Sequence, residues 1–221
     1  MAERWATFDC YGTLVDWRTG IRGELERLFG VAEADELLIR YHELEPEIQA
    51  ASPGLSYREV LTLALERLAE ERGVALPEGE ASALARSLPT WPVFSDVAPA
   101  LDEARSRGWH LAILSNTDRD LIDASMVVIG IAFHPVVVAS EIGSYKPAPR
   151  HWEVFREQTG ATAESHVHVA QSVYHDVIPA TALGLRCVWV NRLGEPDDGR
   201  AARSLPDLTH LPDTLDSLVP A

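Results

Sequence analysis

The sequence predicts an α/β fold, a doubly wound parallel sheet with a helical bundle inserted after its first strand. Three observations carry that reading. A short apolar run, residues 5–8, ends on Asp9 and is followed by a Gly12-Thr13 turn. From Val97 onward, apolar strands alternate with amphipathic helices that close on glycines such as Gly108 and Gly130, the pattern of a parallel sheet with crossover helices. Between these two parts, residues 16–88 show helical periodicity alone. The expected division is residues 1–15 and 89–221 as the sheet domain, with 16–88 as the inserted bundle.

Within the insert, Ile21, Leu25, Leu28 and Phe29 recur at helical spacing, as one face of a helix requires. A second helix is expected over residues 34–49, with Leu37, Leu38, Tyr41, Leu44 and Ile48 on one side. A third, residues 57–72, follows Ser56 and Glu59, which read as a capping box, and stops at Gly73. A fourth, residues 78–88, ends where Pro89 and Pro92 break the pattern. The alternation then runs helix 97–107, strand 109–114, helix 121–129, strand 136–138, helix 151–160, strand 166–170, helix 177–183 and strand 186–191. The tail from Gly194 is rich in Pro, Asp and Gly and reads as loop, with a short strand near Leu208.

Bulk properties narrow the function. A chain of 221 residues buries a sizeable core. Its formal net charge of −15 argues against nucleic acid or an anionic membrane as partner. No basic region followed by an apolar segment marks a signal peptide, and no run reaches the roughly eighteen apolar residues of a membrane span. The two cysteines, Cys10 and Cys187, lie in or beside apolar runs and read as buried thiols. A soluble, cytoplasmic protein is expected.

Asp9 is the residue around which the chemistry gathers. At the carboxyl end of a strand in an open α/β sheet, an acid stands at the mouth of the ligand crevice. A carboxylate there can act as a nucleophile; an Asp that merely starts a turn is the bland alternative. Three further blocks follow in order: LAILSN from Leu111, SYKPAP from Ser144 and VHVAQSVYHD from Val167. Together with D-x-x-G-T-L at Asp9, Gly12, Thr13 and Leu14, they resemble the four motifs of the haloacid dehalogenase superfamily across most of the chain.

That resemblance implies a Rossmann-like core with a helical cap over the crevice, hinged near residues 15–17 and 90–93. Closure of such a lid excludes water from the chemistry. It implies Asp9 as nucleophile, Lys146 as the cation that keeps it ionised, and Asp176 as the acid that holds Lys146 or a hydrolytic water. Thr13, Ser115 and Asn116 fall where substrate is bound; capping a loop or helix is the other reading for Asn116, and Asp118 reads as a cap.

Two departures choose among the family's reactions. Phosphatase members place a second Asp two residues after the first, as general acid; this chain has Tyr11, and a departing halide needs no proton. Where those members place a magnesium-binding acid, this chain has Gln171, which weakens magnesium affinity. The pattern looks like the type II 2-haloacid dehalogenases. It implies hydrolysis of small 2-halo carboxylic acids with no metal or other cofactor, and by analogy a homodimer.

Arg40 fits two readings, a contact for halide or substrate carboxylate and a solvated helix-face arginine. Trp152 fits a pocket wall or the core. The fourth motif departs from the subgroup at Val173, where an Asn that orients Lys146 or water is expected; His175 is the residue that can compensate. His166 and His168 alternate along a strand and read as structural, since no third ligand accompanies them. Rival activities are a phosphatase of small phosphoesters, a hydrolase opening a strained small amino acid, and a regulatory protein without turnover.

Overall fold

The computed structural model describes residues 3–221. Strand β1 (Arg4–Phe8) is buried along its whole length, as the centre of a parallel sheet covered on both faces demands. Five more strands join it: β2 (Trp109–Ser115), β3 (Val136–Val138), β4 (His166–Ala170), β5 (Arg186–Val190) and β6 (Arg203–Leu205). Their order is β3-β2-β1-β4-β5-β6, and every pair is parallel. The strand order reverses between β1 and β4, so the crevice lies beyond their carboxyl ends.

The insert is helical: α1 (Trp17–Phe29), α2 (Val31–Ala51), α3 (Tyr57–Arg72) and α4 (Ala83–Ser87), the last shorter than the helix expected over residues 78–88 and flanked by 3-10 turns. Asp16 caps α1 through the Thr19 amide at 3.1 Å. Ser56 and Glu59 form the predicted capping box on α3, and Gly73 ends that helix at φ 64°. Ile21, Leu25, Leu37, Leu44, Leu61 and Leu65 close the bundle's interior at no more than 1 % exposure.

Both crossings between cap and sheet domain run side by side. The Asp16 amide donates to Pro92 O at 2.8 Å and the Phe94 amide to Leu14 O at 3.1 Å. On the other edge the sheet domain grips the start of α3. The Asp118 carboxylate accepts the amides of Tyr57 and Arg58 at 2.9 and 3.0 Å, and the Tyr145 hydroxyl donates to Leu55 O at 2.9 Å. Asp118 is therefore a cap, but for a helix of the insert; it makes no capping bond to α5 (Arg119–Ile129), the helix it precedes.

The tail differs from expectation. The last strand is Arg203–Leu205, and a helix not read from the sequence, Leu211–Leu218, follows it. Leu208 is a fully buried anchor beside Leu211 and Leu215. Pro212 masked that helix, although proline in a first turn is compatible with one. Among the described residues no helix is long and apolar enough to cross a membrane.

Candidate active site

The turn after β1 places the nucleophile. Asp9 continues the pairing with β4 through its amide, which donates to Val169 O at 3.1 Å. Gly12 bends back at φ 95°, where a Cβ would meet the Gln171 amide oxygen at 3.0 Å and the Trp17 indole at 3.1 Å; only glycine suits it. Thr13 then reaches back and donates to Asp9 Oδ2 at 2.9 Å. Its oxygen accepts the Gln171 amide at 2.9 Å, so one hydroxyl ties the β1 turn to the β4 loop.

Lys146 is 1 % exposed and spends all three ammonium protons. It donates to Asp9 Oδ1 at 2.9 Å, Asp176 Oδ1 at 2.6 Å and Leu114 O at 2.9 Å. Burial opposes its charge, but Asp176 and Asp9 outweigh burial and hold it above the ordinary lysine value. Burial, helped by Asp176, lifts Asp9 above the usual carboxylate value against the pull of Lys146. Asp176 goes the other way: burial alone would raise it, and Lys146 with His168 holds it well below the usual range.

Beneath Asp176 lies a chain of polar contacts inside the sheet. His168 Nε2 is 3.0 Å from Asp176 Oδ1 and must donate there, because a carboxylate only accepts. The Thr7 hydroxyl joins His168 Nδ1 at 2.8 Å to His166 Nε2 at 2.7 Å. The histidine pair is thus a prop for Asp176. Asp176 Oδ2 is buried without a protein partner, and Asp176 lines the crevice.

Asn116 lines the crevice and also holds the backbone of Lys146. Its amide group donates to Lys146 O at 3.0 Å and accepts the Lys146 amide at 2.7 Å. The Ser115 hydroxyl is buried without a partner on the crevice wall. Tyr11 also lines the crevice; its hydroxyl is 3.1 Å from Ser125 Oγ, and burial raises its phenol, which stays protonated. The His175 imidazole meets Ser172 Oγ at 3.2 Å, and burial lowers it to about 4, so it is neutral near pH 7.

Three expectations for substrate contacts are corrected, the first being Thr13, which is fully buried behind Asp9 and does not line the crevice. Arg40 lies on the outer side of α2, 2.9 Å from both Glu71 and Glu43, and does not line the crevice. Trp152 is fully buried, edge-on to His168 with ring centroids 5.3 Å apart, in the apolar layer under the sheet. What the sequence reading missed is the cap wall: Trp17, Tyr41, His42, Glu45 and Tyr57. Tyr41 and Glu45 stand one helical turn apart, a signal that was present but absorbed into the apolar stripe of α2.

The model of the haloacid dehalogenase-like hydrolase family matches residues 4–184. The chain belongs to that family of hydrolases. Within it, the chain is 33 % identical over 183 residues to a phosphoserine phosphatase of Thermus thermophilus, covering 81 % of this chain and 71 % of that protein. It is 27 % identical over 225 residues to (S)-2-haloacid dehalogenase 4A of Burkholderia cepacia, covering 98 % and 94 %. A crystal structure of an L-2-haloacid dehalogenase superposes with a TM-score of 0.87 at 23 % identity, over 98 % of this chain and 100 % of that one. At that identity the likeness establishes the shared fold of this hydrolase, its parallel sheet and its helical cap.

Proposed function

We propose that this hydrolase removes halide from small 2-halo carboxylic acids and releases 2-hydroxy acids. The observation that carries the reading is the buried Asp9–Lys146–Asp176 array beside a neutral, hydrogen-bonded Tyr11. An alkoxide leaving group needs an acid at that position; a halide does not. The dehalogenase relative, matched over nearly its whole length, supports the same reading.

The steps follow from the contacts. An Asp9 oxygen attacks the substrate α-carbon, the carbon–halogen bond breaks, and halide departs with its electron pair. An ester joins Asp9 to the inverted carbon. Water beside Asp176 gives a proton to that carboxylate as it attacks the ester carbonyl; the adduct collapses as the departing hydroxy-acid oxygen takes that proton, and the second water proton passes to solvent. The hydroxy acid leaves and Asp9 returns as a carboxylate. Ser115 and backbone amides bind the substrate carboxylate.

The Thermus relative keeps a phosphatase reading in view, but the donors here do not fit a magnesium site. Gln171 offers a neutral amide, and Asp176 Oδ1 is already engaged by Lys146 and His168. The test is halide release from 2-chloropropionate and haloacetates with EDTA present, with Asp9→Asn as control. Release that survives EDTA and vanishes in the variant supports the proposal. No release, with hydrolysis of p-nitrophenyl phosphate that rises with magnesium, overturns it.

A further inference from the structure

The cap side of the crevice has a composition that the reaction at Asp9 does not explain. Trp17 from α1, Tyr41 and Glu45 from α2 and Tyr57 from α3 meet there, with Tyr11 opposite. Tyr11 and Tyr57 stack at 6.2 Å and Trp17 leans on Tyr41 at 5.9 Å. Glu45 is half-buried among them. One of its oxygens takes the Gln49 amide at 3.1 Å, and among the described residues no cationic side chain pairs with it.

The charges at this site do not balance. Lys146 is fully committed to Asp9, Asp176 and a carbonyl, so two carboxylates already face one ammonium before Glu45 is counted. His42 lines the wall too, but burial and Arg18 lower it, leaving it neutral near pH 7. Aromatic rings around a carboxylate form the combination that receives an organic cation. The cavity, about 70 Å³, has room for roughly five to seven water-sized atoms, which suits a compact amino acid skeleton.

We propose that the cap wall is an ammonium subsite. The substrate carries a cationic amino group remote from the carbon that Asp9 attacks, and Glu45 receives it with Trp17, Tyr41 and Tyr57. This rests on the dehalogenase reading for the reacting end of the substrate only. The state of Glu45 agrees with it: burial, with Asp9 adding to it, lifts this carboxyl to about 7, and a bound cation would draw it back down. A plain alkyl chain would desolvate the carboxylate without compensation.

The test is calorimetric binding at pH 8 with two inert probes of equal heavy-atom count, 3-aminopropionate and butyrate. The expected result is 3-aminopropionate binding at least about tenfold tighter, with Glu45→Gln removing most of that advantage and leaving butyrate within about twofold. Equal affinities, tighter butyrate, no binding of 3-aminopropionate at millimolar concentration, or an advantage that survives in Glu45→Gln would each overturn the subsite. Should Glu45→Gln fold poorly by thermal melting, the wild-type ratio and Trp17→Leu decide the matter. Halide release plays no part in this measurement, so failure of the subsite and failure of the dehalogenase reading are separable.

Discussion

Replacing His168 with Phe isolates what the buried prop does for Asp176. Phenylalanine keeps the ring volume and the edge contact with Trp152 at 5.3 Å, but deletes the 3.0 Å bond to Asp176 Oδ1 and the weaker, neutral contact with the Thr7 hydroxyl at 2.8 Å. A hydrogen bond to a charged group contributes about 1.5–3 kcal/mol. The variant should lose roughly that much stability at pH 7, about 3–12 °C in melting temperature for a chain of this size. Asp176 sits below its ordinary value when folded, so its contribution is present above about pH 4 and is lost as pH falls through the folded value. In the variant the folded value rises, and acid unfolding begins at a higher pH. Catalysis should change in a specific way. Asp176 faces the water step, so ester hydrolysis slows more than ester formation, and a burst of halide precedes a reduced steady rate. His168→Gln, which keeps a donor, should restore part of both. Urea unfolding at pH 7, an acid titration followed by circular dichroism, and rapid-quench halide release make the measurements. Stability within about 0.5 kcal/mol of wild type, with no burst, would refute the role assigned to the histidine.

Other perturbations separate the parts of the site. Asp9→Asn removes the attacking oxygen and should lower halide release by at least about a thousandfold, read by a chloride electrode. Lys146→Met leaves two buried carboxylates facing each other and should destabilise the fold by about 3–5 kcal/mol in urea. Asp118→Ala should cost about 0.5–2 kcal/mol and speed hydrogen exchange at the Tyr57 and Arg58 amides, which that carboxylate holds. Arg40→Ala should leave KM within about twofold, since its partners are Glu71, Glu43 and Glu47 on the cap's outer surface.

The sheet domain was readable from its alternating pattern, and part of the site because it lies at strand ends. Asp9 and Gln171 directly follow β1 and β4 and Ser115 ends β2, and parallel strands bring such positions together whatever the helices do. The cap wall was not readable for the opposite reason. Successive residues on a helix turn by 100°, so moving the crevice from the Arg40 side of α2 to the Tyr41 and Glu45 side takes a single position. Periodicity shows which stripe is apolar, not which neighbour it faces, and α2 buries Leu37 and Leu44 in the bundle while Tyr41 serves both bundle and crevice. Trp152 failed in the same manner, since an aromatic on a crossover helix can face the sheet or the substrate. Asp118 was recognised as a helix cap, but its partner lies about 60 residues earlier, a distance that local capping patterns do not span.

The paired crossings at Leu14–Asp16 and Pro92–Phe94 make the lid a module with adjacent ends. Its whole length leaves and re-enters the sheet domain through one narrow ribbon, so a helical insert of different length or lining can be grafted there without disturbing the segments after β1, β3 and β4 that carry Asp9, Lys146 and Asp176. Transplanting residues 17–91 onto a related sheet domain would then move the choice of substrate tail while the bond-breaking apparatus stays behind.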